Sequence, residues 1–220
     1  MVADKIDRMQ TVLVALGAYL LGSVSFAILV SRVFALPDPR SYGSKNPGAT
    51  NVLRTGRKAA AALTLLGDGG KGWLAVFVAQ QLTGQTLAAG ADIPLAALGV
   101  VLGHMFPVFH RFHGGKGVAT AAGALLGLDL WLGLGTLATW VAILAFFRIS
   151  SLAALVAALI APAYTFWLFG LRPVLPAVVA IAALLIWRHK GNIGRLLRGE
   201  EGRVGAKPSP APEDPSAGAH

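Results

Sequence analysis

The sequence predicts an all-α integral membrane protein of seven transmembrane helices, some of them short, with the N-terminus outside and the C-terminus cytoplasmic. Three observations carry that reading. Hydrophobic residues make up 55% of the 220 positions and charged residues 13%, and the mean hydropathy is +0.65, too apolar for an ordinary soluble domain. The apolar residues gather into runs long enough to cross a bilayer. The cations collect at alternate ends of those runs.

Thr11 to Ser31 is a charge-free run of 21 residues. At about 1.5 Å per residue it spans a hydrocarbon core of about 30 Å. The short head before it, residues 1–10, carries balanced charge and is expected to be periplasmic, not a cleavable signal. Ala59 to about Gln81 is the second span, interrupted by Asp68 and Lys71, which lie three residues apart and face each other on a helix. Ile93 to Phe109 is the third. Val118 to Phe147 is broken only by Asp129, and reads either as two short helices turning at Leu128 to Leu130 or as one long tilted helix. Ile149 to Leu171 and Pro173 to Trp187 complete the set, giving seven spans or six.

Charge decides the number. Seven spans with the N-terminus outside leave only Lys5, Arg8 and Arg172 on the outer side and put 16 of the 19 cations on the inner side. Six spans would put the basic tail opposite the basic loop that follows the first span. A single membrane domain over residues 11–201 follows, with a disordered cytoplasmic tail, 202–220, rich in proline and small residues.

Composition also narrows the chemistry. There is no cysteine, so disulfides, thiol catalysis and cysteine-ligated metals are excluded. The net charge of +9 sits at the ends of apolar runs, where topology and anionic lipid head groups explain it better than nucleic acid does. His104, His110, His113 and His189 lack carboxylate partners in a metal-binding pattern, so no metal site is expected. His104 reads as a hydrogen-bonded core residue, and His110 and His113 as interfacial.

Four polar segments should meet at the inner face. Gly43 to Arg54 holds two glycines, Pro47, Ser44, Asn46, Thr50, Asn51, Lys45 and Arg54, the makings of a compact kinked loop. It is either an anion cradle or an ordinary membrane-facing turn. Gly114, Gly115 and Gly117 flank Lys116, allowing backbone N–H groups and the ammonium to approach one ligand oxygen. A nucleotide P-loop is rejected, because position 110 is His and Gly117 stands where Ser or Thr would hold Mg²⁺. Ser150 and Ser151 form the third segment. His189 and Asn192, three residues apart, would share a face on a continued helix and both reach a hydroxyl or phosphate. No His-x-x-x-x-Asp pair and no Gly-x-Ser-x-Gly elbow exists, so the equipment is for binding anions and stabilising a leaving phosphate, not for a triad.

Taken in order, Gly43-Ser44 with Asn46 to Arg54, Asp68 with Lys71-Gly72, Gly103 to Phe109 with Phe112 and Gly114 to Thr120, and Arg188-His189 with Asn192-Ile193 and Arg195-Leu196 resemble the bacterial membrane glycerol-3-phosphate acyltransferases that use acyl phosphate as donor. The resemblance covers nearly all of the chain from Gly17 to Glu201. It implies transfer of an acyl group from acyl phosphate to glycerol 3-phosphate, giving lysophosphatidic acid and inorganic phosphate as the first step of phospholipid synthesis. It also implies the bacterial inner membrane, no cofactor and no metal, contact with membrane lipids, and a functional link to an enzyme that produces acyl phosphate. Lys116, Arg54 and Ser44 are the expected catalytic residues. Asn46, Thr50, Asn51, Gly114, Gly115, Gly117, Ser151, His189 and Asn192 are the expected substrate-binding residues. Two positions depart from the pattern: Lys45 stands where glycine is usual, and His113 where Lys or Arg is common.

The acceptor hydroxyl must lose a proton, either to a substrate phosphate oxygen or to His189. The competing class is a transporter of a phosphorylated solute, which would also gather cations in a membrane site. A non-catalytic lipid-binding scaffold is a weaker alternative. Crowding of the polar segments at one face favours an enzyme.

Overall fold

A computed structural model describes residues 2–85 and 90–205. Among them the chain forms ten α-helices and no strand: α1 Val2–Gly22, α2 Phe26–Val33, α3 Ala49–Leu53, α4 Lys58–Thr83, α5 Asp92–Met105, α6 Val118–Leu128, α7 Leu130–Phe147, α8 Ser150–Phe169, α9 Val174–Arg188 and α10 Lys190–Leu197, with a single 3₁₀ turn at Val108–His110. Most of the expected tail, 206–220, with Lys207, lies outside the described residues. Its first residues do not: the Val204 N–H donates to the Arg148 carbonyl at 2.7 Å.

Four helical stretches are long and apolar enough to cross a membrane, Arg8–Val33, Asp92–His110, Leu130–Phe147 and Ser150–Phe169, and α9 with α10 makes a fifth if the bent pair counts as one. The first of these is broken between α1 and α2. The Ser23 N–H still reaches the Tyr19 carbonyl at 2.9 Å, but Val24 leaves its carbonyl without a helical partner. Lys71 supplies one, its Nζ lying 2.6 Å from the Val24 oxygen and 2.8 Å from Asp68 Oδ1. The pair that interrupts the second apolar run is therefore fully buried in α4 and joined in the expected i, i+3 register.

The 30-residue apolar run resolves as two helices. Asp129 takes an extended conformation between α6 and α7 and accepts the Leu132 N–H at 2.9 Å, an N-cap that starts α7. Only α6 is short, at 11 residues; α7 has 18.

In a bilayer the lipid tails are as apolar as the helix faces, so close approach and dispersion hold the bundle together. On α4 and α6 the approach is set by Gly72 and Gly123: a Cβ on Gly123 would overlap the Gly69 carbonyl, and one on Gly72 the Thr120 carbonyl. Behind that contact lie Val76, Val100, Val101, Met105 and Ile181, all nearly or fully buried, whereas Trp131, Phe146 and Trp167 project outward. Gly123→Leu should therefore force α4 and α6 apart and cost about 1–3 kcal/mol or more of stability, read as a lower unfolding midpoint of the purified protein.

Candidate active site at one end of the bundle

The 43–54 loop is held from beneath by Asn51, whose buried amide donates to the Pro39 carbonyl at 2.7 Å and the Tyr42 carbonyl at 3.2 Å. Its Oδ1 accepts the Ser44 N–H at 3.0 Å. Asn51, an expected substrate ligand, thus spends both ends of its amide on the loop itself. Val52, on the same short helix, is fully buried against Ala27, Val30, Ala60 and Ala61 of α2 and α4, which anchors α3 to the bundle. Gly43 has φ +56, and its missing side chain leaves room for Asn51 Oδ1 and the Arg54 side chain. Lys45 also has a positive φ, +54, in the left-handed region where glycine is at home. Its side chain is exposed, and it does not line the cavity below.

The glycine-flanked lysine comes from the turn into α6. The Gly115 N–H donates to the His104 carbonyl at 3.1 Å. Arg188 Nη2 donates to the Gly114 carbonyl at 2.7 Å and the Gly115 carbonyl at 2.9 Å. These two glycines, expected to bind substrate, give their carbonyls to Arg188. Gly117, at φ +82, turns the chain into α6 and leaves Lys116 projecting inward. Lys116 Nζ lies 2.5 Å from Asn192 Oδ1. Burial lowers the Lys116 pKa to about 8, with Arg195, Arg188 and Arg54 pushing the same way against the carboxylate of Glu201.

The α9–α10 corner bends by 59° at His189, so the helix does not continue as expected, yet His189 and Asn192 still meet at one cavity. His189 Nδ1 lies 2.7 Å from the Leu185 carbonyl. That contact assigns the proton to Nδ1 and leaves Nε2 as an acceptor. Burial lowers the His189 pKa to about 4, so the ring is neutral near neutral pH. Asn192 Nδ2 and Ser151 Oγ both donate to Glu201 Oε1, the latter at 2.7 Å, and Arg195 Nε lies 2.6 Å from Glu201 Oε2. Burial works to raise the Glu201 pKa, but the bonds from Ser151, Asn192 and Arg195 outweigh it and hold the carboxyl below its usual range.

These segments border an open-mouthed cavity of about 1910 Å³. Ser44, Asn46, Thr50, Asn51, Arg54, Lys116, Gly117, Ser151, His189 and Asn192 line it; Gly114 and Gly115 do not. Thr50 Oγ1 lies 3.4 Å from Ser150 Oγ, tying α3 to the start of α8. The Arg54 backbone N–H donates to the Asn51 carbonyl at 3.1 Å, and its guanidinium makes no hydrogen bond or ion pair among the described residues. From this polar end the walls turn apolar, with Leu66, Trp73, Leu126, Leu137, Trp140 and Ile181 contributed by α4, α6, α7 and α9. His104 also lines the cavity and is held as a core histidine by Thr120 Oγ1 at 3.1 Å, with Asp68 Oδ1 3.5 Å from its Nδ1.

Sequence reasoning missed Glu201 and the site role of Arg195. Arg195 lies one helical turn after Asn192, a spacing that places it on the same face. Glu201 follows a left-handed Gly199, φ +70, and reaches back to the site through a turn that no spacing rule describes.

A sequence model of the family described as glycerol-3-phosphate acyltransferase matches residues 12–199. Among similar proteins, the glycerol-3-phosphate acyltransferase of Ralstonia nicotianae is 59% identical over 200 residues, covering 91% of this chain and 97% of its own. That of Burkholderia thailandensis is 58% identical over 205 residues, covering 92% and 100%. A crystal structure of PlsY (YgiH), described as an integral membrane glycerol 3-phosphate acyltransferase in its glycerol 3-phosphate form, aligns with a TM-score of 0.82 at 36% identity, covering 89% of this chain and 96% of that one. Its lysophosphatidic acid form aligns with a TM-score of 0.80 at 35% identity, covering 88% and 94%.

Proposed function

The chain belongs to the glycerol-3-phosphate acyltransferase family, and from that premise we propose that it transfers an acyl group from acyl phosphate to glycerol 3-phosphate, releasing lysophosphatidic acid and inorganic phosphate. The observation that carries the reading is the two-ended cavity. One end offers Lys116, Arg54, Ser44, Asn46, Ser151, His189 and Asn192 to water-soluble anions, and the other offers apolar walls to an acyl chain.

In this reading the 43–54 loop and Arg54 hold the donor phosphate, Ser151, His189 and Asn192 hold glycerol 3-phosphate, and Lys116 lies between them. The glycerol hydroxyl attacks the acyl carbonyl carbon, and the C–O bond to phosphate breaks as the tetrahedral centre collapses. An acyl phosphate is a mixed anhydride with a good leaving group, so alignment and charge neutralisation supply most of what the protein must add. The hydroxyl proton goes to a phosphate oxygen. A phosphate monoester near pKa 6 matches the task better than His189, whose pKa of about 4 suits it to accepting a hydrogen bond.

The protein is a multi-pass membrane protein. Seven spans are proposed by counting α1 with α2 as one broken span and adding α4, whose buried ion pair lowers its hydropathy, and the short α6. Its proposed home is the bacterial inner membrane, with the cavity's polar end on the cytoplasmic side, where glycerol 3-phosphate and the product of an acyl-phosphate-forming enzyme both arrive. With no native cysteine, single Val2→Cys and Arg203→Cys variants give clean labelling. Val2→Cys should react with an impermeant maleimide on intact cells and Arg203→Cys only after permeabilisation; labelling of both from one side would overturn the seven-span topology. The function itself is tested by giving purified protein glycerol 3-phosphate and acyl phosphate. Lysophosphatidic acid and inorganic phosphate should appear in equal amounts, and absence of both would overturn the reading.

A further inference from the structure

Glu201 stands beyond the last helix and beyond the 12–199 stretch matched by the family, yet its side chain is only 10% exposed and makes three contacts inside the cavity. Each contact fixes an ambiguity. The Ser151 hydroxyl can rotate, and Glu201 Oε1 takes its proton at 2.7 Å, so the serine oxygen turns its lone pairs to the cavity as an acceptor. The Asn192 amide can flip, and Glu201 accepts its Nδ2, which leaves Oδ1 for Lys116 Nζ at 2.5 Å. Arg195 at 2.6 Å on the second oxygen offsets the charge of the buried carboxylate.

We propose that Glu201 is a positioning residue for this site: through Asn192 it aims the Lys116 ammonium, and through Ser151 it presents a hydrogen-bond acceptor to the glycerol hydroxyl. The assignment rests on the acyltransferase reading for its second half only, since the orientation of Lys116 can be read without turnover. Charged groups facing Lys116 are Arg54 at the end of α3, Arg188 at the end of α9, Arg195 on α10 and Glu201, with the neutral His189 ring beside them and Asp68 on α4 turned to Lys71 and His104. Glu201 is the one anion among them not committed to another lysine, so it also favours the protonated amine.

The test uses the full-length purified protein with Glu201→Gln and Glu201→Asp. The glutamine is nearly isosteric but cannot accept from Ser151, Asn192 and Arg195 together; one face of its amide must offer N–H groups to donors. With acyl phosphate and glycerol 3-phosphate, kcat of Glu201→Gln should fall at least tenfold, with partial recovery in Glu201→Asp. In an Asn192→Ala background the same change should cost much less; an additive loss would overturn action through Asn192. The second arm needs no activity: the pH midpoint for reductive methylation of Lys116, read by mass spectrometry, should be lower in Glu201→Gln than in the wild type, because the substitution removes the carboxylate that favours the ammonium. An unchanged midpoint with unchanged kcat overturns the proposal. A lower KM for glycerol 3-phosphate at undiminished kcat also overturns it, by making the carboxylate a competitor for the anion site. Wild-type protein without acyl transfer, but with the midpoint shift, would sink the acyltransferase reading and leave the orientation of Lys116 by Glu201 standing.

Discussion

Lys116→Ala should lower kcat/KM by about a hundredfold or more, the scale of loss when a donor aimed at a developing oxyanion is removed. The lysine is largely buried, so its ammonium acts in a medium where water screens it little. In the proposed reading it lies between the two substrates: Asn192 lies 2.5 Å from Nζ, and the 43–54 loop borders the same cavity. Arg54→Ala should fall in the same range, because its guanidinium has no partner among the described residues and is free for the donor phosphate. Arg198, exposed and paired with Glu200 at 2.7 Å, serves as the control whose removal should change little. The pH profile gives a second reading of the same residue. With its pKa lowered to about 8, Lys116 is charged below that pH and loses its charge above it, so kcat/KM should fall as pH rises through about 8. Near-normal turnover of folded Lys116→Ala would remove the lysine from the mechanism.

Much of this arrangement was legible because apolar periods and charge interruptions are local signals. The break at Asp129 is one: a single carboxylate between two apolar runs can cap one helix and end another, and it does both jobs. The Asp68–Lys71 register is another, since three-residue spacing forces proximity on any helix. What escaped depends on where the chain goes next. Gly114 and Gly115 carry the look of a phosphate loop, but their carbonyls are claimed by Arg188 from a helix more than 70 positions later, and that direction is not encoded in the glycines. Asn51 resembles Asn46 in sequence and borders the same cavity, but it is buried and spends its amide on Pro39, Tyr42 and Ser44, which makes it loop scaffolding. Lys45 stands where the resemblance implies glycine, at a φ of +54 in the left-handed region, so its backbone is locally strained and its side chain adds no group to the cavity. Glu201 is reached only by a turn after α10, and a helical pattern that ends at Leu197 offers no reason to look past it.

Donor selectivity should be the sharpest result of all: acyl phosphate should support turnover, and acyl-CoA or acyl carrier protein thioesters should give none above background. The His-x-x-x-x-Asp pair expected of thioester-using glycerol-phosphate acyltransferases is absent from the sequence. Of the two histidines at the cavity, His189 is held by the Leu185 carbonyl, and His104 by Thr120 Oγ1 at 3.1 Å with Asp68 3.5 Å away, a carboxylate that Lys71 also holds at 2.8 Å. A thiolate leaving group is large, soft and singly charged, and gains little from clustered N–H donors. A departing phosphate gains negative charge on compact oxygens, which Lys116, Arg54 and the 43–54 loop are equipped to stabilise with charge-assisted hydrogen bonds. The measurement supplies purified protein with glycerol 3-phosphate and each donor separately, following lysophosphatidic acid and inorganic phosphate together. Robust turnover from acyl-CoA would overturn the donor assignment while keeping the acyltransferase. Failure with every donor, coupled with glycerol 3-phosphate flux across protein-containing liposomes, would make the cavity a transport site, and the same cations would then be read as holding a passing solute instead of a leaving group.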